Sequence, residues 1–276
     1  MPTPSDRPYD LTLASADFAR WEGPPQRSVV ICSHPRSGST LLGEAIRFAG
    51  GLGCPLEYLH GGFRPTMAAR WRAPDLDAYV AALHQYRTEP NGVFSIKLFW
   101  QDVEDLAHER APNRFPPRGT THPEAMHEHQ YRDLLAQIAD ILPNPEFVYL
   151  ERRDRVRQAV SAMVAAQTGL WRSIPGMGRQ EAVGAAEYDY DRILGMIAYA
   201  DYGHAHWRGF FAANLVEPYR LTYEELVDDF EHVLNGLFAR LGSESAPPPR
   251  RMRRQADQTT EAMVLRFLRD HAARTA

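Results

Sequence analysis

Residues 29–42 constrain the fold of this chain more than any other stretch. Residues 29–33 (Val-Val-Ile-Cys-Ser) have the composition of a buried strand, and a helical pattern begins at Ser39 or Thr40 and stops at Gly50-Gly51. The loop between them contains glycine, hydroxyl side chains and one arginine. Because the first turn of a helix offers unpaired backbone N–H groups and a partial positive charge, this arrangement predicts a site for a phosphate-like anion.

The loop lacks one residue of the P-loop found in nucleotide hydrolases. That pattern, G-x-x-x-x-G-K-[ST], places a lysine directly before the last hydroxyl residue. Here the sequence is Pro-Arg-Ser-Gly-Ser-Thr over residues 35–40, and the cation is Arg36, which precedes the glycine. The loop therefore predicts a phosphorylated ligand but argues against ordinary ATP or GTP hydrolysis. On spacing alone, a plain strand–helix connection remains the alternative.

Strand and helix patterns alternate along the rest of the chain, as in an α/β fold. Further strands are predicted at 93–99, 147–150 and 219–221, and helices at 75–87, 123–142, 155–167, 188–213 and 260–272, with two more helices between 222 and 246. We expect a three-layer α/β/α fold with a mostly parallel central sheet. Residues 1–27 are polar and rich in proline, and are predicted to form an N-terminal arm; residues 28–276 are predicted to form a single domain.

Composition excludes several classes of protein. The net charge of −4 does not favour a nucleic-acid partner, and no apolar run has the length of a membrane span. The N-terminus lacks the basic and apolar regions of a signal peptide. Cys32 and Cys54 do not make a disulfide framework and fit a reducing compartment. We therefore expect a cytoplasmic protein without a nucleic-acid partner and without a membrane span.

A second strand–helix junction lies at residues 150–154 (Leu-Glu-Arg-Arg-Asp). Ligands of open α/β sheets bind where parallel strands end, and Ser161 follows about two turns into the predicted helix. Arg152 and Ser161 can together bind one phosphate, the arginine through its forked guanidinium and the serine through its hydroxyl. Two alternatives remain open: Arg153 supplies the cation, or Arg152 forms only a surface ion pair with Asp154.

The loop at residues 35–40, followed later in the chain by the junction at 150–154 and Ser161, resembles the phosphate-binding motifs of sulfotransferases, which use 3′-phosphoadenosine 5′-phosphosulfate (PAPS). Within that group the chain is most similar to the bacterial trehalose 2-sulfotransferase family. The similar stretches extend over nearly the whole predicted domain and are residues 33–42, 53–58, 96–100, 152–161, 166–172 and 254–257.

This resemblance implies a P-loop NTPase-like sulfotransferase fold and a role for each matching residue. The 5′-phosphosulfate would be held by Arg36, Ser37, Gly38, Ser39 and Thr40, and the 3′-phosphate by Arg152 and Ser161. Glu57 takes the position of the family's proposed catalytic carboxylate, which removes the proton of the acceptor hydroxyl. Many other sulfotransferases use a histidine after Lys-Thr on the second strand, but here Lys97 is followed by Leu-Phe.

Sulfuryl transfer resembles phosphoryl transfer, in which catalysis consists mainly of positioning and charge stabilisation. Arg36, Lys97 and the N–H groups of the first helix are the candidates for stabilising charge on the leaving oxygen, with Glu57 as the base. No metal is expected, because cationic side chains can neutralise the leaving group. On their residues alone, Glu57 is a solvated loop carboxylate and Lys97 an ordinary strand-end lysine.

The expected partner is a small hydroxylated acceptor, in the first place a carbohydrate such as trehalose. Trp100 and Trp171 are interpreted as packing residues, although either could line the acceptor cleft, and Asp102 as part of an exposed helix start. A cluster of aromatic residues is predicted to form core or a homodimer contact: Tyr199, Tyr202, Trp207, Phe210 and Phe211. Two other functions stay open, an ATP-dependent P-loop-like kinase and a non-catalytic nucleotide-binding module.

Overall fold

A four-stranded parallel sheet forms the centre of the computed structural model, which describes residues 9–171, 183–252 and 258–275. Its strands lie in the order β2-β1-β3-β4 and are β1 (Arg27–Ser33), β2 (Val93–Phe99), β3 (Pro145–Glu151) and β4 (Tyr219–Thr222). Ser33 pairs with Phe99 in the ladder between β1 and β2. Because all the strands are parallel, their carboxyl ends meet at one edge of the sheet, where ligands of such folds bind.

Helices connect the strands and follow them. Within the described ranges they are α1 (Ser39–Ala49), α2 (Arg64–Trp71), α3 (Leu76–Arg87), α4 (Trp100–Arg110), α5 (Glu128–Ile138), α6 (Arg155–Thr168), α7 (Tyr190–Ala213), α8 (Tyr223–Asp228), α9 (Phe230–Arg240) and α10 (Gln258–Thr275).

Helices cover both faces of the sheet. Since side chains alternate along each strand, successive residues enter the cores on opposite faces. Val30 and Cys32 belong to a core shared with α3, α4, α5 and α7, whereas Val29 and Ile31 belong to one shared with α1, α8 and α9. A smaller apolar cluster joins α6, α7 and α10. The predicted three-layer fold with a parallel sheet is thus confirmed.

The helix predicted at 123–142 is shorter than expected. The structure has a 3₁₀ turn, Pro123–Ala125, and then α5, whose start is marked by a hydrogen bond from the His127 N–H to Gln130 Oε1 at 2.8 Å. After Ile138 the chain turns, with the Leu142 N–H bonded to the Ile138 carbonyl. The turn directs the chain into β3, since Pro143 and Pro145 cannot continue a helix. The helix α2 was not predicted.

Residues 9–26 pack against α3. The Phe18 N–H donates to the Tyr86 carbonyl and the Trp21 N–H to the Gln85 carbonyl, both at 2.9 Å, while Leu11 and Ala16 are buried in the core. The division into an arm at 1–27 and a domain at 28–276 remains a prediction. No helix in the described part of the chain is long and apolar enough to span a bilayer.

Candidate active site

A tight turn over residues 34–37 carries Arg36 away from the end of β1. The Ser37 N–H and hydroxyl both donate to the His34 carbonyl, at 3.3 and 2.8 Å. Pro35 at the second position and a φ of 67° at Arg36 match a type II turn, whose third position favours glycine. A left-handed conformation costs a non-glycine residue about 1–2 kcal/mol. The fold therefore holds Arg36 against its backbone preference.

Gly38 joins this turn to α1 and must be glycine for two reasons. Its φ is 86°, and a Cβ there would lie 2.6 Å from Cδ2 of Tyr223. Tyr223 begins α8 directly after β4, so its ring covers the loop from the end of β4, two strands away from β1. The first N–H groups of α1, from Ser39 onward, lie next to this glycine and have no acceptor within their own helix.

Two side chains of α6 bind the loop. Nε2 of Gln158 donates to the Pro35 carbonyl and to the Ser37 hydroxyl, both at 2.9 Å. Nε of Arg36 donates to the Ser161 hydroxyl at 2.9 Å, and the Arg36 guanidinium also donates to the Trp171 carbonyl. The structure thus places Ser161 beside Arg36 and brings the two predicted phosphate-binding motifs into contact.

Arg36 and Arg152 form a pair of neighbouring cations. Arg152 donates to the Arg36 carbonyl at 3.4 Å, and its guanidinium carbon lies 4.5 Å from the centre of the Tyr223 ring. Burial first, and the Arg152 charge second, lower the pKa of Arg36 to about 10. Arg153 instead has a 62% exposed side chain near Glu224. Two cations in a site of low solvent access favour an anion between them.

Lys97 lies between the predicted base and the first turn of α1. Its ammonium nitrogen is 2.7 Å from Oε1 of Glu57 and 3.4 Å from the Thr40 hydroxyl. The side chains of Lys97 and Glu57 are 1% and 11% exposed, so water screens this ion pair little. The Lys97 side chain thus joins the first turn of α1 to the Glu57 carboxylate.

The segment that carries Glu57 is fixed on both sides. The Lys97 N–H donates to the Leu56 carbonyl at 2.9 Å, which attaches the segment to β2. On the other side α1 approaches at Gly43, where a Cβ would lie only 3.0 Å from the Pro55 carbonyl oxygen. Gly43 therefore allows the close approach that sets the distance between α1 and the Glu57 segment.

The expectation that Asp102 belongs to an exposed helix start is wrong. α4 begins at Trp100, directly after β2 ends at Phe99, so its first turn lies within the core. Asp102 is 2% exposed and accepts a hydrogen bond from the Phe99 N–H at 3.0 Å. Burial, with a contribution from the negative charge of Glu57, raises the pKa of Asp102 to about 8.

Some of the aromatic residues interpreted as packing or core residues are buried, and others are exposed. Trp100 packs in the core, stacked on His206 at 4.7 Å, whereas Trp171 is half exposed. Trp207, Phe210 and Phe211 are core residues. His204 and His206 are also buried, and the described residues contain no group of three or more His, Cys, Asp or Glu side chains placed to hold a metal ion.

The structure brings the loop at 36–40, Arg152, Ser161, Lys97 and Glu57 to the carboxyl edge of the sheet. Residues 254–257 and Arg172, which carry part of the resemblance, lie outside the described ranges.

The sequence did not identify two residues that contact the loop at 34–38, Tyr223 and Gln158. Tyr223 directly follows a predicted strand, a position that could have indicated it, and Gln158 lies three residues before Ser161, on the same helix face.

Comparison with known proteins supports a sulfotransferase. A family model described as Stf0 sulphotransferase matches residues 28–270. The trehalose 2-sulfotransferase of Mycolicibacterium smegmatis (strain ATCC 700084 / mc(2)155) is 30% identical over 273 residues, which cover 89% of this chain and 96% of that protein. The trehalose 2-sulfotransferase of Mycobacterium tuberculosis (strain ATCC 35801 / TMC 107 / Erdman) is 30% identical over 268 residues, 87% of this chain and 94% of that protein.

Among solved structures, a sulfotransferase domain from the curacin biosynthetic pathway is 18% identical, with a TM-score of 0.41, and covers 81% of this chain and 76% of its own. The family assignment does not depend on that likeness, because the family model alone spans most of the chain. The chain belongs to the Stf0 sulphotransferase family.

Proposed function

We propose that this sulfotransferase moves the sulfuryl group of PAPS to a hydroxyl group of a carbohydrate. The observation that carries the proposal is the position of Lys97, which contacts both Glu57 and the first turn of α1. A carboxylate base and a phosphate-binding turn are thereby held at one edge of the sheet. Both named relatives are trehalose 2-sulfotransferases, so a trehalose-like sugar is the first acceptor to test.

The residues at the loop fit a donor with several negative charges. Arg152 is buried and the adjacent Arg36 is partly buried. The pKa of Arg36 is lowered in part by its neighbour, so an anion would relieve their repulsion. Gly38 keeps the loop free of a side chain at the start of α1. These residues would hold the 5′-phosphosulfate and the 3′-phosphate, with Ser161 against Arg36.

The chemistry is an in-line displacement. A bond forms between the acceptor oxygen and sulfur, while the bond between sulfur and the bridging oxygen of the donor breaks and leaves its electron pair on the 5′-phosphate. Glu57 takes the proton of the acceptor hydroxyl. Lys97 and Arg36 stabilise negative charge on the leaving oxygen. The products are a sulfate ester and adenosine 3′,5′-bisphosphate. Since side chains supply the positive charge, we expect turnover to persist in EDTA.

A calorimetric titration separates this proposal from a kinase. We expect adenosine 3′,5′-bisphosphate to bind more tightly than ADP or ATP, with the same affinity in magnesium and in EDTA. A preference for ATP with magnesium would contradict the proposal. Sulfate transfer from PAPS to a panel of sugars then separates an enzyme from a nucleotide-binding module, because a module would bind the bisphosphate without turnover.

We further propose a cytoplasmic location and leave a homodimer as a hypothesis. Cys32 and Cys54 are free, buried thiols, consistent with a reducing compartment. Light scattering on the eluted protein would measure the mass in solution against the 31.3 kDa of one chain.

A further inference from the structure

We propose that Gln158 is a positioning residue: its side-chain amide holds Arg36 in the backbone conformation that presents the guanidinium to the 5′ group of the donor. This inference rests on the proposed function, because it assigns the 5′ group to Arg36. It gives a role to Gln158, for which the sequence predicted none, and this role is exerted through Arg36.

The amide of Gln158 bonds to both neighbours of Arg36. Nε2 donates to the carbonyl of Pro35 and to the hydroxyl of Ser37, each at 2.9 Å, and the Gln158 side chain is 1% exposed. Between these two contacts lies Arg36, with its φ of 67°. A conformation that arginine disfavours is thus fixed at both ends by one buried group.

Arg155 fixes which way the amide points. Its guanidinium donates to Oε1 of Gln158 at 3.2 Å, and because arginine has only donors, the amide oxygen must face Arg155 and the NH₂ group must face the turn. Arg155 is itself held by Asp201 at 3.1 Å and Glu151 at 3.3 Å. The orientation of the donor group is therefore set before any ligand arrives.

Gln158 and Ser161 contact different parts of the turn around Arg36. Ser161 contacts the Arg36 guanidinium at 2.9 Å, whereas Gln158 contacts the Pro35 carbonyl and the Ser37 hydroxyl on either side of it. Without the amide, the turn can relax away from the left-handed conformation and carry the guanidinium with it. Arg152 bonds to the Arg36 carbonyl, but it follows β3 and also lies over the Tyr223 ring at 4.5 Å, so the 3′-phosphate contact should change much less than the 5′ contact.

The test compares two ligands and two matched variants. Gln158→Met removes the donor while keeping length and neutrality. Gln167→Met makes the same change on the same helix, where Nε2 of Gln167 donates to the Glu187 carbonyl at 3.1 Å. Affinity is measured by calorimetry for adenosine 3′,5′-bisphosphate and, by competition, for adenosine 3′-phosphate, which lacks the 5′ group.

We expect Gln158→Met to weaken bisphosphate binding at least tenfold and to change adenosine 3′-phosphate binding less than threefold, while Gln167→Met changes neither. Equal losses for both ligands, or no loss for either, would overturn the inference. If Gln158→Met does not fold, Gln158→Asn, whose amide is one methylene too short, is read by the same criteria.

Different results would overturn the proposed function and the role of Gln158. A wild-type protein that binds both ligands equally has no 5′ site, which would overturn the proposed function and this inference together. A wild-type protein that prefers the bisphosphate, with the same preference in the Gln158 variants, would overturn the inference alone.

Discussion

The ammonium nitrogen of Lys97 lies 2.7 Å from Oε1 of Glu57, and both side chains are largely closed to solvent. The carboxylate is therefore held in place before an acceptor binds. The same ammonium nitrogen is 3.4 Å from the Thr40 hydroxyl, at the start of α1. The proposed base and the proposed leaving-group site are thus linked through one cation, and the separate contributions of Lys97 and Glu57 can be measured.

Glu57→Gln should abolish most of the turnover and leave nucleotide binding intact. Removal of a positioned base costs roughly 10²–10⁴-fold in rate, and the amide keeps the shape of the side chain. We expect kcat to fall in that range while the Kd for adenosine 3′,5′-bisphosphate changes less than threefold. Glu231→Gln, on the exposed side of α9, is the control and should behave as wild type. A Glu57→Gln enzyme with normal kcat would show that another group is the base.

Lys97→Met should lower both turnover and stability, because it leaves the Glu57 carboxylate without its buried partner. Breaking a buried pair costs about 3–5 kcal/mol in general, and we expect about 2–3 kcal/mol here, since the Glu57 side chain is 11% exposed. The double variant Lys97→Met/Glu57→Gln should recover part of this loss. Urea unfolding of the two single variants and the double variant measures the coupling, and strictly additive free energies would argue against a stabilising ion pair.

Gly43→Ala should slow the reaction without weakening donor binding. The new methyl group would meet the Pro55 carbonyl oxygen at 3.0 Å and displace the Glu57 segment by a few tenths of an ångström. We expect kcat to fall roughly fivefold, because rates depend steeply on the placement of reacting groups.

The control for this substitution is Gly195→Ala on α7, where a Cβ would have no neighbour within 4 Å. Both changes improve helix propensity by about 1 kcal/mol, so a difference between the two variants reports the contact with Pro55. If Gly43→Ala keeps full kcat, the distance between α1 and the Glu57 segment is not limiting.

Acid should destabilise the fold through His204. Burial, followed by the charges of Arg155, His34 and Arg208, lowers the pKa of His204 to about 2. Below about pH 6.5 the unfolded chain binds a proton there that the folded chain does not, so stability falls with falling pH. One such group contributes at most about 1.4 kcal/mol per pH unit between its two pKa values.

We expect wild type to lose about 1 kcal/mol more than His204→Gln when the pH is lowered from 6.5 to 5.5. Glutamine can still bond to the hydroxyl of Tyr149, which lies 2.8 Å from the histidine ring nitrogen. Urea midpoints at both pH values for both proteins give the difference, and the other titrating groups cancel in the comparison. Parallel losses would mean that His204 titrates normally in the folded protein.

The strand–loop–helix at residues 29–42 could be predicted because its signals are local. A buried strand, a glycine and a helix start follow one another within fourteen residues, and the structure has them as β1, Gly38 and α1. Resemblance added Glu57, which no local pattern distinguishes from a solvated carboxylate. Its contact with Lys97 depends on the pairing of residues forty positions apart, and sequence periodicity carries no information about it.

For Gln158 and Asp102, the sequence places each residue on a helix but does not reveal what its side chain contacts. Gln158 lies on a helix start rich in arginine, and only the approach of α6 to the turn at 34–37 gives its amide two acceptors. Asp102 has charged neighbours typical of an exposed helix, yet it is buried because α4 follows β2 without a connecting loop. In both cases the packing of distant segments decides what the side chain contacts.

The direct passage from Phe99 to Trp100 has an evolutionary consequence. An insertion at that junction would shift the whole of α4 in the core, so this end of β2 can change only by point substitution. Tyr58 and Leu59 are buried, but residues 60–63, which lead into α2, run through short turns instead, with Gly61 and Gly62 exposed. Relatives that accept other alcohols should therefore differ in length at 60–63, while the β2–α4 junction keeps its length.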